Sequence, residues 1–265
     1  MPYAQDFETF NRETLIAIPV FNRAACLLRL LESLHASQSV LLANVHVFDD
    51  ASDEFDAHFF RCCLHPASRL IRHDENSGGA DRAVERIFQF FVHSDYQQLL
   101  LLDSDLIVAD GWLHASWRGF AHAQGLLSLF NTPKHHAFAP AGPGLVQKTS
   151  VGFAGTLWSR ELVREVLQQV GAGGAYDWDI CAYLQNRRKI MCLLDSCVQH
   201  FGVEGQNSCL TRFDYGIGFM PGNMVTANIV ARETEKIILA LQGLAQGPGP
   251  KPSMVAHLAS LIFKS

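Results

Sequence analysis

The sequence predicts an α/β protein built on a central, mostly parallel sheet flanked by helices. From Thr14 to Asp105, short apolar runs alternate with amphipathic stretches at intervals of about 25–30 residues, the signature of βαβ units. The runs Thr14–Val20 and 99–102 are almost wholly apolar, as strands covered on both faces are. Each run ends in polar or glycine-rich sequence, and right-handed crossovers put all such ends on one sheet edge.

In order, Thr14–Val20 is the first strand. Asn22 is placed to cap a helix whose Leu27, Leu30, Leu31 and Leu34 recur at helical spacing. Residues 45–48 form the second strand, ending at Asp49 and Asp50, and a short helix follows over 53–64. Residues 68–72 are the third strand, Asn76-Ser77-Gly78-Gly79 the loop after it, 80–92 an amphipathic helix, and 99–102 the fourth strand. Further on, 112–124 reads as helix and 125–131 as strand. Residues 131–148, rich in Pro, Gly, His and Ala without periodicity, read as a long loop and a lid. A strand over 151–158, a helix over 160–170, a helix from Asp177 or Asp179 through Arg187, and a strand over 189–194 complete the pattern. The Pro- and Gly-rich breaker at 247–252 sets off a final short helix, 253–263.

A chain of 265 residues with 48% hydrophobic and 18% charged residues has the makings of an ordinary globular core. The formal net charge of -5 argues against non-specific nucleic-acid binding. Seven cysteines, an odd number without C-x-x-C pairs, read as reduced thiols of a cytosolic protein. The N-terminal residues are polar and acidic, unlike a signal peptide, and no apolar run approaches the roughly 20 residues that span a bilayer. The expected location is therefore cytoplasmic.

The most informative stretch is Asp103-Ser104-Asp105, at the mouth of an apolar strand. On extended backbone the two carboxylates point the same way and repel each other unless a cation lies between them. That arrangement reads as a divalent metal site at the carboxyl end of a central strand; the alternative is a solvated polar turn.

Together these groups resemble a known pattern. Ile18-Pro19-Val20-Phe21-Asn22-Arg23, Phe48-Asp49-Asp50-Ala51-Ser52-Asp53, Asn76-Ser77-Gly78-Gly79-Ala80 and Asp103-Ser104-Asp105 occur in order, followed by Tyr176-Asp177-Trp178-Asp179-Ile180 and Val198-Gln199-His200-Phe201-Gly202. This resembles the nucleotide-sugar glycosyltransferases of the GT-A (Rossmann-like) fold, especially the inverting family 2, over roughly residues 14–210. The resemblance implies metal-dependent transfer of a sugar from a nucleotide-diphosphate sugar, UDP-sugar first, to an acceptor hydroxyl in glycan or surface polysaccharide synthesis. It implies a GT-A domain over 1–218, with its nucleotide-binding half at 14–105 and acceptor half at 106–218, and a C-terminal helical extension over 219–265.

Donor contacts are expected at Pro19, Phe21, Asn22, Arg23, Asp50, Asn76, Gly78, Gly79, Asp103 and Ser104. Asp50 is the candidate acceptor for a base N3–H, against the alternative of capping the next helix. Gly78 and Gly79 allow a close backbone approach. Arg82 is read as a surface partner of Glu85, with phosphate as the alternative. A divalent cation, Mn²⁺ or Mg²⁺, is expected on Asp103, Asp105 and His200, with Asp105 the direct ligand; a histidine ligand favours Mn²⁺, and a structural histidine is the alternative. Asp177 is the expected base, with Asp179 the near alternative and helix capping the structural role for either. Tyr176 stands where the family pattern carries an acid. Trp158 and Trp178 are read as packing residues with sugar stacking as the alternative, and His135 and His136 as members of a solvated loop.

Two other functions fit less of the sequence. A sugar-1-phosphate nucleotidyltransferase needs a Gly-rich, Arg-containing loop after the first strand, where Phe21-Asn22-Arg23 stands instead. A non-catalytic nucleotide-sugar or glycan-binding module would have no use for Asp177 and His200 downstream of D-x-D. The partners expected are a nucleotide-sugar donor and a glycan, lipid-linked or other hydroxyl acceptor. Met254, Val255, Leu258, Leu261 and Ile262 share one side of the final helix, which suits docking on the inner membrane face, packing on its own domain, or a homodimer contact.

Overall fold

The computed structural model describes residues 6–37, 40–202 and 214–246. Helix α1 (Phe7–Glu13), capped by Asp6, leads into β1 (Thr14–Val20). Then come α2 (Ala24–Ala36), β2 (Val45–Asp49), α3 (Ala57–Cys63), β3 (Arg69–Arg72), α4 (Ala80–His93) and β4 (Gln98–Leu101). The second half comprises β5 (Leu106–Val108), α5 (Trp112–Phe120), β6 (Leu126–Ser128), β7 (Ala137–Gly142), β8 (Leu145–Lys148), β9 (Thr156–Ser159), α6 (Arg160–Gln169), α7 (Tyr176–Leu184), β10 (Ile190–Leu193), β11 (Val198–His200) and α8 (Met224–Gln246).

Nine strands form one sheet in the order β3-β2-β1-β4-β9-β6-β10-β8-β7, and β5 pairs with β11 in a separate ribbon. The four strands β3, β2, β1 and β4 are mutually parallel, so their carboxyl ends share one edge. β9 runs antiparallel between β4 and β6, and β10 is parallel to β6. The sheet is covered on both faces, which explains the apolar runs. Ile16, Ile18, Leu100 and Leu102 face one core with Leu27, Leu30 and Trp112. Leu15, Ala17, Leu99 and Leu101 face the other with Phe88, Phe91 and Tyr176. A third cluster joins Ile229 and Ile237 of α8 to Ile107 and Phe201, and ion pairs Arg29–Glu233 and Arg232–Glu32 tie α8 to α2.

Several sequence expectations are corrected. Asn22 does not cap α2: it and Arg23 are left-handed (φ 56° and 65°), and the Asn22 carboxamide accepts from Asp53 N and Glu54 N at 3.0 Å each. Those bonds tie up residues 53 and 54, so α3 starts only at Ala57, where Asp56 accepts from His58 N and Phe59 N. Neither Asp50 nor Ser52 caps it. The stretches 112–124, 125–131 and 151–158 hold shorter elements, α5, β6 and β9.

The expected loop over 131–148 is largely the hairpin β7–β8, which adds the last two strands to the sheet. Its turn uses positive φ at Gly142 and Gly144. β7 is an edge strand with Pro140 and two register shifts, so the alternation that marks a strand in sequence is broken. Helix α8 supplies helix in the extension, while residues 253–263 lie outside the described residues.

Leu100 is fully buried at the centre of the parallel half. Leu100→Ala is expected to cost about 2–5 kcal/mol, read as a lower urea midpoint with an unchanged slope.

Candidate functional site

The Asp103-Ser104-Asp105 segment is not extended. β4 ends at Leu101, and Leu106 N donates to Asp103 O at 3.1 Å, closing a tight turn before β5. It is this turn, rather than strand alternation, that sets the two carboxylates near each other. Antiparallel pairing of β5 with β11 puts His200 opposite Leu106, and Phe201 N donates to Asp105 O at 3.1 Å. The His200 ring thereby reaches Asp105, with Nε2 3.2 Å from Oδ2. Arg23 donates to the same oxygen at 2.7 Å from its left-handed position ahead of α2. A Cβ on Gly202 would collide with the Asp105 carboxylate and the His200 ring, so the glycine there permits the packing.

These contacts set the charges. Asp105 is only 5% exposed, and burial would raise its pKa; the His200 hydrogen bond and charge, with Arg23, outweigh that and lower it to about 2. For Asp103, burial and the Asp105 charge outweigh the opposing charges of His200 and Arg23 and push its pKa up to about 7. Burial would lower the His200 pKa, but bonding to Asp105 raises it. Among the described residues no group of three or more His, Cys, Asp or Glu side chains is arranged to hold a metal ion. The donor chemistry nonetheless fits one. Among the described residues Asp105 Oδ1 is buried with no hydrogen-bond partner, the charges of His200 and Arg23 only partly offset the burial of Asp103, and His200 adds an imidazole.

The neighbouring loops are cross-braced. Asn22 N donates to Ser52 Oγ at 2.7 Å and Arg23 N to Glu54 Oε2 at 2.7 Å, while Ser52 N donates to Asp49 Oδ1 at 3.1 Å. Asp49 pairs with Arg72 at 3.1 Å. Asp50 is 4% exposed; its carboxylate accepts from Ser77 N at 3.0 Å, from Ser77 Oγ at 2.6 Å and from Arg86 at 3.0 Å. Asn76 bridges the same loops, donating to Asp50 O at 2.9 Å and accepting from Gly78 N at 2.8 Å. Gly78 and Gly79 take φ of 91° and 147°, which only glycine adopts readily. Arg82 and Glu85 form no ion pair among the described residues; the arginine that matters on α4 is Arg86, which spacing along one helix does not reveal because its partner is 36 positions away.

Beside the turn opens a cleft of about 630 Å³ whose lining includes Pro19, Asp81, Asp103, Asp177, Trp178 and His200. Asp177 lines it and Asp179 does not. Both fall in the first turn of α7, and neither caps it. Asp177 Oδ1 accepts from Trp178 N at 2.8 Å. Burial raises the Asp177 pKa and the nearby Asp81 adds to the rise, against that backbone bond. Tyr176 is fully buried against Phe88 and Phe153, which accounts for an aromatic where the family pattern carries an acid. Its N–H instead donates at 3.2 Å to Asp81, a carboxylate brought from α4.

Trp158 is a core residue. Trp178, by contrast, is 56% exposed on the cleft wall. His135 is also a wall residue rather than part of a solvated loop, because buried Lys148 donates to Thr132 O and His135 O and fixes that segment; His136 is exposed. Asp214, which no sequence motif marks, lines the cleft and is held by Thr132 and Lys134.

Residues 15–127 match the model of Glycosyl transferase family 2, a stretch running from β1 into β6 and containing every loop of the parallel edge. That match covers less than half of the chain and falls on the four motifs of the parallel edge. It is similar in structure to S. aureus TarS 1-349, with 14% identity, 86% of this chain and 64% of that chain covered, and a TM-score of 0.48. The same protein in complex with UDP is similar at 15% identity, 70% and 59% coverage and TM-score 0.49, and A197 from STIV at 11%, 71%, 83% and 0.46. The chain thus spans about 64% and 59% of those two TarS structures. No curated protein matches it.

Because the Asp103 pKa rises from 3.8 to about 7 on folding, the folded chain keeps a proton that the unfolded chain loses between those values. That contribution is full below pH 3.8 and is lost as the pH climbs through about 7. In chelator-treated protein, Asp103→Asn should therefore gain melting temperature over the parent as pH rises from about 4 to 8. Parallel melting curves for the two proteins would contradict the assignment.

Proposed function

We propose that this chain transfers a sugar from a nucleoside-diphosphate sugar, with UDP as the nucleotide, to an acceptor hydroxyl with inversion at the anomeric carbon. The supporting observation is one cleft that joins the Asp103–Asp105 turn and His200 to Asp177, within a chain whose parallel edge matches a glycosyltransferase family. We assign residues 14–105 to the donor half, 106–218 to the acceptor half and 219–265 to an extension. The cytoplasm is the assigned compartment, in keeping with six free cysteines among the described residues; no helix there is long and apolar enough to cross a membrane.

In this reading Asp177 takes the proton of the acceptor hydroxyl as its oxygen bonds to the anomeric carbon. The bond to the diphosphate oxygen breaks on the opposite face, and its electron pair leaves with the nucleotide. A raised pKa suits Asp177 to that task, because a base works best when its pKa lies near the working pH. Pro19, Phe21, Asn22 and Arg23 border the donor on the β1 side. Asp50 acts through the loop it holds, setting Asn76, Gly78 and Gly79 and the Arg86 guanidinium at the edge. Ser104 belongs to the turn that places Asp103 and Asp105.

Asp103, Asp105 and His200 would hold a divalent cation, Mn²⁺ or Mg²⁺. When bound, it neutralises negative charge gathering on the departing diphosphate. Asp179, outside the cleft, has no part in proton transfer.

Release of free nucleoside diphosphate from UDP-, GDP- and dTDP-sugars in the presence of Mn²⁺ tests this function. Asp177→Asn should lower turnover by about 10²–10⁴-fold while leaving UDP affinity nearly unchanged. Pyrophosphate as the product would favour a nucleotidyltransferase instead. Undiminished turnover in Asp177→Asn would remove Asp177 as the base.

A further inference from the structure

The acceptor side of the cleft carries a built arrangement that the reaction chemistry alone does not require. Trp178 leaves more than half of a large apolar surface open to water, at a cost in free energy unless something covers it. Its ring lies 5.6 Å from that of His135, tilted by 37°. His135 uses Nδ1 on Ser150 Oγ at 2.9 Å, and burial keeps its pKa low, so a neutral ring presents Nε2. Asp177 commits Oδ1 to Trp178 N, which leaves Oδ2.

Asp177 Oδ2 and His135 Nε2, neither hydrogen-bonded among the described residues, converge over Gly152. A Cβ built there would lie 3.6 Å from Asp177 Oδ2 and 3.8 Å from His135 Nε2, so the missing side chain keeps open the space between a carboxylate oxygen and an imidazole nitrogen. Beside that space stands the indole. Apart from Asp103, which the proposed cation would neutralise, and Asp214, which pairs with Lys134, the cleft carries Asp81 and Asp177, which disfavour an anionic acceptor.

We propose that the acceptor is a neutral carbohydrate whose ring lies on Trp178, with neighbouring hydroxyls held by His135 Nε2 and Asp177 Oδ2 over Gly152. A sugar ring offers what this wall asks for: an apolar C–H face for the indole, and hydroxyls at its rim that both donate and accept. An alkyl phosphate would bring its charge against Asp81 and Asp177, and a peptide hydroxyl has no ring to cover Trp178. The proposal rests on Asp177 as the base, but its own readout is glycoside binding, scored apart from turnover.

Saturation-transfer NMR on the full chain with UDP and Mn²⁺ would use methyl glycosides of glucose, galactose, N-acetylglucosamine and rhamnose as probes, with dodecyl phosphate and a Ser/Thr peptide as comparators. At least one glycoside should receive saturation at its ring protons. Trp178→Ala should weaken that binding about tenfold, the scale of losing one aromatic contact. Gly152→Val should do the same by filling the gap; Gly152 has no positive φ, so the change is compatible with folding, which circular dichroism and UDP binding would verify. Equal glycoside binding in the parent and both variants, contact with only a comparator, or contact with no probe would each overturn the proposal. Asp177→Asn with full turnover but Trp178-dependent glycoside binding would instead sink the base assignment and leave the carbohydrate surface standing.

Discussion

Two carboxylates at the end of a fully buried strand make demands that organise this structure. Asp103 and Asp105 follow apolar residues covered on both faces of the sheet, and a tight turn holds them near each other. Like charges in so little water must be paired, protonated or bridged. One is paired: Arg23 and His200 both close on Asp105 Oδ2. The other is left with a raised pKa. Meeting that demand draws in distant parts of the chain. Arg23 takes a left-handed backbone, β11 crosses to pair with β5, and position 202 must be glycine.

The parallel edge is stiffened by the same kind of polar accounting. Asn22, Asp49, Asp50, Ser52 and Glu54 bond to backbone and side chains of neighbouring loops, so the segments that would border a donor are fixed before one arrives. Preorganisation of this sort reduces the entropy lost on binding. Across the cleft, α7 presents Asp177 from a helix start secured by the buried Tyr176 ring and by Asp81 of α4. Rigid elements on both sides leave a space bounded by acidic, imidazole and indole groups.

Much of this is legible in the sequence. Strands β1 to β4 announce themselves because burial on both faces leaves unbroken apolar runs, and the amphipathic α4 shows its period plainly. The D-x-D and His-x-Gly segments mark the turn and the ribbon that meets it. Local signals mislead where a distant partner decides. Asn22 has the type of a cap, yet serves the β2–α3 loop; Arg82 reads as the partner of Glu85, yet it is Arg86 of the same helix that binds a carboxylate, that of Asp50. The hairpin β7–β8 hides because an edge strand with proline and bulges loses its alternation. His135 and Asp214 carry no motif; one is set by buried Lys148, the other by Thr132 and Lys134. Tyr176 shows the converse: a departure from the family pattern in sequence is explained by a core that needs an aromatic there.

The central claim is that Asp103, Asp105 and His200 form a cation site that works with the diphosphate of a nucleotide. Electron paramagnetic resonance of Mn²⁺ tests it directly, since the six-line signal of the free ion disappears on binding. With UDP present at a concentration that leaves most Mn²⁺ free on its own, the protein should quench the signal in proportion to its concentration, and Asp105→Asn should leave it standing. Equal quenching by both proteins, or none by the parent, would contradict the account.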